Sequence, residues 1–375
     1  MESGTFIFNR DEIITRKRQW VKEPFMIDLI DTVKNEIMEV VGCTEPSAIA
    51  YAFAKIAEYH KTSITPGNVK ATLYLSSDVY RNASTAGIPH LNKKGILPAV
   101  AMGIFSKNPQ LNVFARSGKK QLENAKRLLK KRKFLRIIIS KEKHGVFIKA
   151  QLSSGGTVSE ITIEHRHDFV KEIKVNGKIV FYAETPQVYK IKGLEEIYKI
   201  VKLRNKDLEK IVKDAILVNG KAAEKLRLDS IADTIYHMTK QRMNGDTTRI
   251  ITVAGSGNHG IFLSVPFYYL YKKYGEKVLP AFVFSLLTLI YFAQQRGRLT
   301  NLCGLASKAA PALLAGLLYL KEKALDEIVK RVELVRKPTN GLLCEGAEEI
   351  CGYKAFLCFE NVNKNLTESR LKNIW

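Results

Sequence analysis

The run from Val278 to Ala293, VLPAFVFSLLTLIYFA, is sixteen residues long without a charge, and it constrains the fold more than any other segment. A helix apolar on every side must be covered on every side, by lipid or by protein. Sixteen residues interrupted by Pro280, Ser285 and Thr288 fall short of the roughly twenty that cross a bilayer. A helix at the centre of a helical body is therefore expected. The chain can supply the cover: 375 residues, 46% of them hydrophobic, suffice for one large domain or two ordinary ones. The opening residues, MESGTFIFNRDEIITRKRQW, place no apolar core behind a basic region, so no secretory signal is expected.

Met26, Leu29, Ile30, Val33, Ile37 and Val40 recur at helical spacing, which predicts a helix from Met26 to Val41 closed by Gly42. After the break at Gly42–Pro46 a second helix runs to about His60, with Ala48, Ala50, Ala52, Ala54 and Ala57 allowing close packing. Strand patterns follow at Val69 to Leu75, Leu135 to Ile139, Val146 to Leu152 and Val158 to Ile163. In KEIKVNGKIVFY, Asn176-Gly177 is the turn of a hairpin between alternating arms. From about Leu194 helical signals dominate, apart from a strand at Arg249 to Val253. The expected class is α+β, a mostly helical body with an inserted α+β region rich in antiparallel strands. The boundaries are 1–65 for the N-terminal helices of the body, 66–190 for the insert and 191–375 for the rest of the body.

The formal charge is +23, and the segment Arg116 to Lys143 supplies ten of it, with twelve basic residues against Glu123 and Glu142. Leu122, Ala125, Leu128 and Leu129 recur there at helical spacing, so the lysines are expected on the solvated face of an amphipathic helix. Apart from Phe134 no aromatic residue lies among them for stacking, and no docking motif is present. A basic RNA-binding or scaffolding protein is thus the outside alternative.

The five cysteines, Cys43, Cys303, Cys344, Cys351 and Cys358, are too few and too uneven for a disulfide scaffold. Without export they are expected to be reduced, in the cytoplasm, and available for metal ligation or chemistry. Cys43 precedes a helix start, where the partial positive charge favours a thiolate acting as nucleophile, base or ligand. A small buried residue in a tight turn is the bland alternative. Cys303, Cys344 and Cys351 are 41 and 7 residues apart. Neither gap is a C-x-x-C pair, so zinc, an iron–sulfur cluster and ordinary buried thiols all stay open. Three ligands would leave a coordination position free, the catalytic arrangement. Cys358, in AFLCFE, reads as core.

Arg249 to Gly260, RIITVAGSGNHG, matches G-x-G-x-x-G after a strand. A dinucleotide site also needs a second parallel strand ending in an acid, and here the chain continues helical and apolar. What survives is a glycine-rich turn feeding a helix N-terminus, where backbone donors and Ser256, Asn258 and His259 could receive an anion such as a substrate carboxylate.

Four motifs then occur in order: Gly42-Cys43-Thr44-Glu45-Pro46; Gly255-Ser256-Gly257-Asn258-His259-Gly260; Gly297-Arg298-Leu299 with Leu302-Cys303-Gly304; and Cys344-x-Gly346-Ala347-x3-Cys351. Arg242-Met243-x-Gly245 is a further, weaker match. Together they resemble the iron–sulfur L-cysteine desulfidases and the related alpha domain of bacterial L-serine dehydratases. Two departures stand out: His259 replaces a Gln of many relatives, and Glu348 a Lys. The resemblance implies one [4Fe–4S] cluster per chain, held by Cys303, Cys344 and Cys351 with one iron left free. Cys43 would be the base, or a fourth ligand in the resting state, with Glu45 and Lys354 as rivals for the base. Ser256, Gly257, Asn258, His259 and Arg298 would surround the substrate. The implied reaction is a non-redox β-elimination of L-cysteine to pyruvate, ammonia and hydrogen sulfide, with L-serine deamination as the alternative. A Cys43 motif ahead of the insert in one chain, as in the desulfidases, favours L-cysteine. The expected partner is that small molecule, with no nucleic acid and no membrane; a homo-oligomer is compatible with it.

Overall fold

The computed structural model describes residues 24–131 and 133–367, so the expectation for the opening residues lies outside them. Helix α1 (Pro24–Glu36) is shorter than its periodicity suggests, because Val40 and Val41 belong to strand β1 (Glu39–Val41). The reason is tertiary: β1 pairs antiparallel with Arg249–Ile251, and its β-branched valines suit the extended backbone that pairing demands. Gly42, at φ 73°, turns the chain into α2 (Thr44–Tyr59).

Next come β2 (Lys70–Ser76), α3 (Ser77–Thr85), a small ribbon of β3 (Gly87–Ile88) and β4 (Lys93–Lys94), α4 (Ile96–Ile104) and α5 (Lys119–Leu129). Strands β5 (Leu135–Ser140), β6 (Phe147–Ser154), β7 (Thr157–Glu164), β8 (Val170–Val175) and β9 (Lys178–Tyr182) complete a six-stranded sheet ordered β5-β2-β6-β7-β8-β9. Only β2 and β5 are parallel neighbours. The β8–β9 turn has positive φ at both Asn176 and Gly177, the geometry an Asn-Gly hairpin requires. On α5, Ala125 and Leu128 are buried while Lys119, Lys120, Lys126 and Arg127 face solvent.

The remainder is helical: α6 (Leu194–Lys202), α7 (Lys206–Glu224), α8 (Ile231–Met243), then β10 (Arg249–Ile251), α9 (Gly257–Tyr274), α10 (Leu279–Arg296), α11 (Ala310–Leu320), α12 (Leu325–Arg336) and α13 (Ile350–Thr367). Helix α10 carries the apolar run, buried continuously from Leu279 to Ile290 and packed on α6, α7 and α11. The helical stretch 257–296 is long and apolar enough to cross a membrane by composition, and 83% of its most apolar window is buried inside the protein. The class is α+β, as the patterning predicts.

Two large hydrophobic cores form, with a small third cluster around Cys43. One joins α1 to the helices after residue 190; the other joins β1 and α2 to the sheet, α4 and α5. Helix α2, grouped by sequence with the helical body, packs instead on β6, β7 and α4. Its alanine-rich face explains this, since small side chains let it lie close against a neighbouring helix and a sheet. The two cores meet along the β1–β10 ribbon, and that seam carries the site.

Candidate active site

Three local devices bring distant residues to the seam. The β1–β10 ribbon sets the turn at Gly42-Cys43 beside the end of α8, so Cys43 packs with Met243, Ala347 and Cys351. Beyond β10 the chain turns at Gly255 (φ 76°) into α9, whose N-cap Ser256 accepts a hydrogen bond from the His259 N–H. Gly260 then packs against β10 so tightly that a Cβ would lie 1.9 Å from the Ile251 carbonyl oxygen. The fingerprint spacing thus serves a turn and a helix–strand contact.

The third device positions the late thiols. Residues 302 and 343 form an isolated antiparallel bridge, reinforced by Cys303 N–H to Leu342 O and Cys344 N–H to Asn301 O, both 2.8 Å. Cys303 and Cys344 therefore lie on adjoining strands of one small clasp. Cys351 sits in the first turn of α13, its thiol 3.5 Å from the Gly346 carbonyl. The seven-residue gap between Cys344 and Cys351 thus spans a short loop, with one thiol in the clasp before it and the other on the helix after it.

Cys43, Cys303, Cys344 and Cys351 all border one cavity of about 100 Å³. Ser256, Asn258, His259 and Arg298 border it too, while Gly257 lies just behind, against Arg242. Larger hollows exist elsewhere, among them a groove of about 1740 Å³ on the helical body, but no cysteine lines it. Cys358 is fully buried in the core, as its apolar setting predicts. Lys354 does not line the cavity; it donates to the Leu343 carbonyl at 2.8 Å and pairs with Glu345, which removes it as a base.

Around Cys43 the helix end does not decide the charge. Burial, reinforced by the neighbouring Glu45 carboxylate, pushes the thiol well above its usual range, against the opposing pull of Arg242. The thiol donates to Glu45 Oε2 at 3.1 Å. Burial would raise Glu45 as well, but His167 and the Cys43 thiol together hold its carboxyl below the usual carboxylate range. His167 Nε2 stands 3.6 Å from Glu45 Oε1, within ion-pair reach but too far for a hydrogen bond, and neither ring nitrogen has a partner. A buried file of Cys43, Glu45 and His167 results. The expected thiolate at Cys43 is thus a thiol in this setting.

Sequence reasoning missed His167 altogether. It comes from the β7–β8 turn of the insert, where no motif marks it. Asn82 on α3 was missed likewise and accepts from the Cys344 thiol at 3.4 Å. Arg242 was noted only as part of a weak match, yet it is buried at the cavity wall. Lys308, buried in a turn of π-helix at Leu305–Ala309, donates to the carbonyls of Gly297 and Arg298, and burial lowers it to about 8. Burial likewise depresses His259 to about 3, so its imidazole is neutral. Arg298 reaches the cavity, but its two terminal nitrogens are already bidentate on buried Glu36.

Burial raises Cys344, and it pushes Cys351 to about 11, with the neighbouring thiols adding to both effects. Among the described residues, no three His, Cys, Asp or Glu side chains converge closely enough for a single metal ion. Three thiols bordering one cavity without converging suit a polynuclear iron–sulfur core, which spreads its thiolate ligands around itself. The donor set, all sulfur and next to a neutral imidazole, fits that group.

Comparison with known proteins adds a family to this geometry. A model of the serine dehydratase alpha chain matches residues 154–363, a segment that contains His167, the glycine turn and the three late thiols. A UPF0597 protein of Thermosipho melanesiensis is 31% identical, covering 87% of this chain and 85% of its own length. UPF0597 proteins of Clostridium perfringens (29% identity, 87% of this chain and 83% of the relative) and Nautilia profundicola (27%, 87% and 84%) are similar over comparable spans.

Proposed function

The chain belongs to the serine dehydratase alpha chain family, and from that premise we propose that it is a cytoplasmic lyase, an L-cysteine desulfidase releasing pyruvate, ammonia and hydrogen sulfide. The observation that carries the reading is the meeting of Cys43 with Cys303, Cys344 and Cys351 around one cavity. Cys303, Cys344 and Cys351 hold one [4Fe–4S] cluster per chain. When bound, it supplies an iron that accepts a soft thiolate leaving group as a Lewis acid, without redox change.

The protein's own groups handle the amino acid. The first turn of α9, with Asn258 and the backbone donors that follow Ser256, receives the carboxylate. Glu45 takes the proton of the Cys43 thiol in concert with removal of the substrate's α-proton by the Cys43 sulfur. The electrons of that C–H bond form the Cα=Cβ bond as the Cβ–S bond breaks and hydrosulfide leaves. The resulting enamine tautomerises to an imine, which water hydrolyses to pyruvate and ammonia. His259, neutral at the edge of the cavity, adds no positive charge to the leaving group.

L-serine deamination by the same groups is the second reading, and the family's own description favours it. The single-chain arrangement, with the Cys43 motif ahead of the insert, supports L-cysteine instead. Anaerobic purification decides both. Brown protein with about four irons per chain that releases sulfide from L-cysteine faster than pyruvate from L-serine is the expected result. Absence of iron and of sulfide release after cluster reconstitution overturns the reading.

A further inference from the structure

We propose, on the reading of the protein as an amino-acid lyase, that Arg242 is the cation that anchors the substrate's carboxylate. Arg298, the arginine singled out by sequence, already has a counter-ion in Glu36, with Nη1 donating to Oε2 at 2.6 Å. That pair is neutral and forms part of the wall towards an outer pocket. Lys308, the other buried cation here, is held on two backbone carbonyls.

Arg242 stands differently. It is 4% exposed and lines the cavity, and among the described residues it forms no ion pair. Its Nη1 donates to Asn258 Oδ1 at 2.8 Å and its Nη2 to Thr44 Oγ1 at 2.9 Å, both neutral oxygens, and its Nε has no partner. Cys43, Glu45 and Cys351 stand near enough for charge on them to reach it, but none makes an ion pair with it, and Glu45 is engaged with Cys43 and His167. A buried guanidinium without a contacting anion is strongly unfavourable.

The two oxygens it touches belong to the first turns of α9 and α2. The partial positive ends of both helices therefore add to the charge of the guanidinium. Such a field calls for an anion, and the cavity is the side from which one can arrive. A planar carboxylate suits a guanidinium fork beside helix N–H groups. Gly257 keeps the arrangement open, since a Cβ there would lie 2.5 Å from Arg242 Cζ. The ligand class is a free amino acid; an amidated carboxyl would lack the charge the site demands.

Calorimetric titration of the anaerobic holoprotein with L-alanine, which has no β-leaving group, and with L-alaninamide tests this. Wild type should bind L-alanine at least about tenfold tighter than the amide, and Arg242→Gln should lose that preference by weakening L-alanine alone. Arg242→Lys keeps the charge without the fork and should fall between them, which guards against a misfolded Gln variant; thermal melts check each. No binding of L-alanine by wild type, or an acid-over-amide preference that survives in Arg242→Gln, overturns the anchor. Sulfide release from L-cysteine by wild type is measured in parallel. Sulfide release without an Arg242-dependent preference sinks the anchor alone. An Arg242-dependent preference without sulfide release keeps the anchor and sinks the L-cysteine reading.

Discussion

At Cys43 two influences oppose each other, and in the proposed mechanism their balance sets the state of the base. The N-terminus of α2 and Arg242 favour the thiolate; burial and Glu45 favour the thiol and prevail. Under that proposal such a base must be relieved of its proton at the moment of use, and Glu45, 3.1 Å away, is the acceptor proposed for it. Cys43→Ala should therefore lower sulfide release by about 100-fold or more while keeping most of the iron. Cys303→Ala, Cys344→Ala and Cys351→Ala should each lose iron and activity together; iron analysis beside the sulfide assay separates the two classes. Iron loss in Cys43→Ala would make Cys43 a ligand. His167 acts one residue further out. Its removal in His167→Asn leaves the hydrogen bonds from the Cys43 thiol and the backbone to oppose burial at Glu45, so Glu45 takes up a proton at higher pH. The acid limb of kcat against pH should then move upward, with iron content unchanged. An unmoved limb would reduce His167 to packing.

Among the elements, legibility followed the reach of the interactions that form them. Helix α2, the β8–β9 hairpin and α10 rest on local periodicity and turn chemistry, and the chain announces them. Strand β1 does not: its three residues are extended only because Arg249–Ile251 pair with them. The same division runs through the site. The late cysteines and the glycine turn carry motifs, whereas His167 and Asn82 become functional neighbours only through the fold of the insert. One element contact makes a pH prediction. His60, at the C-terminus of α2, bonds Ser159 Oγ and the Ser154 carbonyl, and burial holds its pKa below the ordinary value. The folded state thus prefers the neutral ring, so the unfolded chain takes up the proton first as pH falls below about 6.5. Stability present at neutral pH should decline across that range, and thermal melts of His60→Gln should decline less.

For the molecule as a whole, charge and chemistry occupy different places. The basic face of α5 lies on the sheet unit, and none of its lysines lines the cavity. Replacing Lys119, Lys120, Lys126 and Arg127 by Gln should leave kcat/KM for L-cysteine within about twofold, since exposed charges contribute little locally. A larger loss, or RNA binding that falls steeply with salt and vanishes in this variant, would give α5 a function of its own.

The β1–β10 ribbon also has a temporal side. Met38 and Thr252, bonded across it, are 214 residues apart in the chain. A ribosome adding roughly 5–20 residues per second needs roughly 10–40 s to travel that far. Throughout that interval the newly made Cys43 segment has no strand to pair with, and the pocket it will help to enclose does not exist. Completion of the proposed active centre is thus a late event in the birth of the protein, which translation keeps from starting any sooner.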